Sequence, residues 1–110
     1  DDVAVIDRDS KGIQILDRDG KPLSRIQAKG ANYQLDEPVD LGFDRLGYLY
    51  VLDRGKSSVY VFGPRNRLIT TFTIAENAPG AFSKARALGI DAAGRLYIFD
   101  EKAKRIQVYQ

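Results

Sequence analysis

The chain has 110 residues, 17 of them basic and 15 acidic, so it is one domain at most and its charge balance alone argues for neither nucleic acid nor a membrane. It contains no Cys and no His, which excludes disulfides and thiolate metal sites and removes the commonest general base and metal ligand. An apolar fraction of 44% argues for a packed core rather than disorder, and no run is long enough for a membrane helix or a signal peptide.

The predicted elements are short strands. Val3–Ile6 is a β-branched apolar run, residues 7–12 a turn, and Ile13–Leu16 a second strand with Ile13 and Ile15 on one face. Asp17-Arg18-Asp19-Gly20 is a turn, because Gly tolerates the positive φ such turns demand. A weaker strand spans 23–26, and Pro22 at its start suits a sheet edge. Residues 29–37 form a polar connector. The central unit follows, with strands at 39–43, 48–52, 59–62 and 68–74. Residues 48–52 and 59–62 are apolar on both faces, which predicts strands covered on both sides. A second connector covers 75–84, and the meander resumes over 85–110. The units are therefore 1–28, 38–74 and 85–110, supplying three, four and three strands. A helical reading fails, since Gly and Asp interrupt the apolar runs every few residues.

The units repeat. Asp7, Asp53 and Asp100 each close a strand, and Ile13, Val59 and Ile106 each open the next, at spacings of 46 and then 47. Asp44-x-x-Gly47 recurs as Asp91-x-x-Gly94. A repeat of this length built from about four strands predicts a propeller blade or a related β array. After these turns, Tyr48-Leu49-Tyr50-Val51-Leu52-Asp53 leads to Val59-Tyr60-Val61-Phe62. Its counterpart Arg95-Leu96-Tyr97-Ile98-Phe99-Asp100 leads to Arg105-Ile106-Gln107-Val108-Tyr109. Together these resemble the NHL repeat. Pro38 stands where that family places a proline, whereas Ala85 replaces it in the next unit and Asp40 and Ala87 replace a common glycine. The resemblance implies an all-β fold of antiparallel four-stranded blades in an incomplete ring. Family members include protein binders, RNA binders and a metal-dependent lyase.

Asp7, Asp53 and Asp100 could be acids or metal ligands. Recurrence favours a structural role instead, each accepting N–H bonds from its own turn, and Asp44 and Asp91 follow the same argument. Asp40 is not repeated. On the blade register it lies near the channel mouth, where it could meet a ligand or cation, or be solvated or paired with an Arg. Gly42 and Gly89 are expected to relieve crowding between innermost strands. The turns carry Arg8, Lys11, Arg54, Lys56, Lys102, Lys104 and Arg105, and Arg86 lies nearby. On one loop face these could bind an acidic protein or RNA, or form a solvated rim. Aromatics that could interleave with them are sparse there, limited to Tyr33 and Phe82. Tyr48, Tyr50, Tyr60, Phe62, Tyr97, Phe99 and Tyr109 fit core packing between sheets.

These readings favour a non-enzymatic scaffold that presents a loop face to a protein or peptide. The alternatives are RNA binding through the basic turns, and a fragment of a metal-dependent propeller enzyme, lyase- or lactonase-like, with its ligands on other blades. No catalytic residue, metal site or cofactor is assigned within the chain. No leader is visible, and a chain that starts at Asp1 without any Met reads as a processed or excised piece, which leaves its compartment open. The first unit lacks an inner strand and the last an outer one. The expectation is therefore a longer propeller, or copies associating flank to flank, with two copies completing a ring of roughly six blades.

Overall fold

In the computed structural model, residues 2–73, 85–101 and 105–109 are described, with backbone only for Arg105, Gln107 and Tyr109. Connector 75–84 with Phe82, and residues Lys102 and Lys104, lie outside the described residues, as do the side chains of Arg105 and Tyr109.

Among the described residues, ten strands form three antiparallel sheets of three, four and three strands. The first holds β1 (Val3–Ile6), β2 (Ile13–Leu16) and β3 (Pro22–Ile26). The second holds β4 (Pro38–Phe43), β5 (Leu49–Asp53), β6 (Ser58–Gly63) and β7 (Arg67–Thr73). The third holds β8 (Ala85–Ile90), β9 (Leu96–Asp100) and β10 (Arg105–Tyr109). Each sheet is a simple meander, so every connection within it joins hydrogen-bonded neighbours. Pro22 opens β3 at a sheet edge, where its missing N–H removes no ladder bond from a central strand.

The sheets stack side by side. Ile13, Ile15 and Ile26 of the first pack against Leu49, Val51, Tyr60 and Phe62 of the second. Leu52 and Val59, on the other face of the second sheet, pack against Ala85, Leu96 and Ile98 of the third. The middle sheet is thus covered on both faces, which explains why β5 and β6 lack the alternation of a half-exposed strand. The close approaches between sheets run through β1, β4 and β8, so the sheets meet along these first strands. The described residues form an open stack with no closed ring.

The backbone repeats more faithfully than the sequence. Lys11 and Ser57, 46 apart, both adopt positive φ, as do Gly20 and Asn66 at the same spacing. Register shifts at Pro38/Asp40 and Ala85/Ala87 are 47 apart, and those at Ile15/Leu16 and Val61/Phe62 are 46 apart. Bulges recurring in step with the repeat are features of its architecture rather than local defects.

One expectation about glycine needs correction. A Cβ at Gly42 would sit 2.9 Å from Leu88 Cδ1, as crowding between first strands requires. A Cβ at Gly89 would meet nothing within 4 Å among the described residues, so the crowding at Gly42 does not recur there. Among the aromatics, Tyr60 and Phe62 are core residues, whereas Phe99 is 39% exposed on the outer face of the third sheet.

Candidate functional site

The turns that follow β1 and β5 are built alike. Asp7 accepts the N–H of Asp9 at 3.1 Å, and Asp53 accepts that of Lys56 at 3.2 Å. Both carboxylates hold their turns, as the sequence predicts. Asp53 does more, accepting the N–H groups of Asp36 at 2.7 Å and Glu37 at 2.9 Å. The Arg54 N–H also donates to the Glu37 carbonyl at 2.9 Å. The main chain at the end of the connector is therefore tied to the β5–β6 turn by three hydrogen bonds, two accepted by Asp53 and one donated by the Arg54 N–H. Asp53 and its repeat counterpart Asp100 are both fully buried. At the other end of the strands, Asp44 accepts from Leu46 and Tyr48, and Asp91 from Ala93 and Arg95. Gly47 and Gly94 complete these turns at φ 93° and 85°.

This bracing shapes a cleft of about 440 Å³ between the turns. Arg8 and Lys11 reach it from the β1–β2 turn, Arg54 from the β5–β6 turn and Arg86 from β8. Ile6, Pro38 and Val39 supply apolar lining, and Asp36 and Glu37 supply two carboxylates. Val39 and Arg86 occupy the two repeat-related bulges. A bulge re-aims a side chain relative to regular alternation, and here both bulged residues line the cleft.

Three of the four cations have a partner. Lys11 Nζ lies 3.8 Å from Asp36 Oδ1, Arg54 pairs with Glu37, and Arg86 pairs with Glu101. Arg54 holds the Glu37 carboxyl below its usual range, mainly by direct hydrogen bonding. Among the described residues, no ion pair engages Arg8.

The site differs from the basic strip expected from the sequence. Arg54 and Arg86 share the cleft, but Lys56 does not line it and gives only its backbone N–H to Asp53. Asp40 is also elsewhere: Oδ1 accepts from Leu41 N–H at 2.9 Å and Oδ2 from Leu88 N–H at 2.8 Å. It is half-buried and, among the described residues, forms no ion pair with an Arg; Oδ2 joins β4 to β8, while Oδ1 stays with its own strand. Asp36 and Glu37 escaped sequence reasoning, since acidic residues in a polar connector resemble solvated surface. Tyr33 is packed rather than displayed, with its ring centroid 5.1 Å from Phe62 and 6.3 Å from Tyr60. Among the described residues, no group of three or more acidic side chains is placed to hold a metal ion. Among the same residues, no helix is long and apolar enough to cross a membrane.

No family model and no curated protein matches the chain. Among solved structures it is similar to a protein of unknown function from Bacteroides caccae, with 12% identity and a TM-score of 0.42. The alignment covers 92% of this chain and 54% of that one, so the chain spans about half of that protein's length.

Proposed function

We propose that the chain is a non-enzymatic binding module of the NHL-propeller type, and that its loop face takes an acidic peptide segment. The repeat and the stacked meanders support the architecture. The observation that carries the function is the convergence of Arg8, Lys11, Arg54 and Arg86 on one partly apolar cleft. A peptide carboxylate entering there would meet Arg8, the cation without an ion pair among the described residues, while its aliphatic stem rests on Ile6 and Val39. Asp36 and Glu37 dilute the positive field and disfavour a continuous phosphate backbone, which would need a longer basic track. The packing of Tyr33 removes a ring on which an unpaired base could stack.

Calorimetric titration with a glutamate-rich peptide tests this reading. Binding should weaken at least about tenfold in Arg8→Glu and weaken with added salt, because the contact is charge-assisted. Equal binding by Arg8→Glu, or tighter binding of a single-stranded oligonucleotide than of the peptide, would overturn it.

A further inference from the structure

We propose that Glu37 is a built-in competitor within the cleft: its carboxylate closes on Arg54 where a ligand carboxylate would bind, and the ligand takes its place by exchange. The exchange rests on the peptide-binding reading for the identity of its ligand. Its geometric basis is the main chain of residue 37. The Glu37 N–H donates to Asp53 Oδ1 at 2.9 Å, and the Glu37 carbonyl accepts the Arg54 N–H at 2.9 Å. Residue 37 is thus fixed to the turn that carries Arg54 without its own carboxylate. Asp36 is pinned to the same turn through its N–H, which donates to Asp53 Oδ2 at 2.7 Å. The Glu37 carboxylate can therefore leave Arg54 while the connector stays in place.

Both partners of this ion pair line the cleft, and the Arg54 and Glu37 side chains are 34% and 50% exposed. A pair at this exposure favours the closed arrangement over the open one by no more than about fivefold. A ligand carboxylate whose stem also rests on Val39 brings contacts that Glu37 does not make, so it can displace so weak a pair. Direct hydrogen bonding from Arg54 holds the Glu37 carboxyl below its usual range. The competitor is therefore ionised wherever an ordinary ligand glutamate is ionised. Asp36 repeats the arrangement more loosely, with its Oδ1 at 3.8 Å from Lys11 Nζ. Two cations of the cleft are each matched by an acid of one pinned dipeptide. The apparent affinity for an acidic ligand is then lowered by the fraction of molecules in which Arg54 is engaged.

Calorimetric titration of wild type, Glu37→Gln, Arg54→Gln and the double variant with the glutamate-rich peptide tests the exchange. Glu37→Gln keeps the main-chain bonds and nearly the same side-chain shape, so its urea midpoint should stay near that of wild type. Glu37→Ala replaces it if it unfolds. Glu37→Gln should bind about three- to sixfold tighter than wild type. In the Arg54→Gln background the same change should gain less than about twofold, because the cation competed for is gone. Unchanged or weaker binding by Glu37→Gln, or an equal gain in both backgrounds, would overturn the exchange. A peptide that binds none of these proteins refutes the peptide reading instead, and sodium glutarate then decides the exchange. Nuclear magnetic resonance should show the Arg54 guanidinium shifting at a lower glutarate concentration in Glu37→Gln than in wild type. A shift at the same concentration in both, or in neither, would overturn the exchange.

Discussion

Asp40 Oδ2 accepts the backbone N–H of Leu88 at 2.8 Å, so a side chain of β4 satisfies a main-chain donor of β8 in the neighbouring sheet. The register shift between Ala85 and Ala87 lies just before this donor. A bulge takes N–H groups out of the ladder, and a side chain from an adjacent sheet can then accept one. Asp40→Ala should cost about 1–3 kcal/mol, the range for leaving a partly buried donor unmatched. Asp40→Asn, which keeps one acceptor oxygen, should cost less. Urea unfolding of both variants checks the order, and equal losses would show that the contact to Leu88 is not what matters.

Asp53 makes a stronger case. It is fully buried and accepts N–H groups from Asp36, Glu37 and Lys56. Asp53→Ala should cost about 2–4 kcal/mol, because several amides lose their acceptor together. It should also loosen the cleft, since Asp36 and Glu37 are positioned by these bonds. Chemical unfolding gives the first quantity, and amide exchange at Asp36 and Glu37 gives the second. Exchange there that rises no more than the global loss of stability would deny the bracing role.

The strand plan was legible because its signals are local. Burial of Ile13 and Ile15 follows from alternation, and the turns at Gly47 and Gly94 follow from the one residue that accepts their φ without strain. The cleft was only partly legible. Arg54 and Arg86 could be named as surface cations, but their meeting depends on bulges at Val39 and Arg86 that leave no compositional mark. The role of Asp40 depends on the offset between two sheets, which spacing within one unit does not encode. Gly89 misled for the opposite reason, since a repeated glycine suggests repeated crowding, whereas a Cβ there meets nothing within 4 Å among the described residues.

That difference between equivalent glycines can be measured. Gly89→Ala has open space and no positive φ, so it should be neutral or stabilise by up to about 1 kcal/mol through the unfolded chain. Gly42→Ala must displace the Leu88 side chain and should destabilise instead. Gly47→Ala has open space but sits at φ 93°, and its backbone strain should cost about 1–2 kcal/mol. Thermal melts should rank the variants with Gly89→Ala highest. A Gly89→Ala melt as low as that of Gly42→Ala would mean that something covers this face in solution.

Stability should also fall in acid through Asp91. Its carboxyl is held at about 2, against an ordinary 3.8, first by backbone N–H bonding from Arg95 and then by the Arg95 guanidinium and the Tyr97 hydroxyl. The folded chain therefore releases this proton more readily than the unfolded chain does. The resulting stabilisation is fully present above the unfolded value and is lost as pH falls from about 3.8 to about 2. Asp7 is shifted in the same direction, led by hydrogen bonding from the Ser10 side chain, so it adds to the acid loss. Asp91→Asn removes only the Asp91 part. The variant should be less stable than wild type near neutral pH, and the gap should close as the solution is acidified through the pH window of Asp91. Urea midpoints for both proteins, taken above, within and below that window, make the comparison. A gap of constant size would show that Asp91 acts through the shape of its turn and not through its charge.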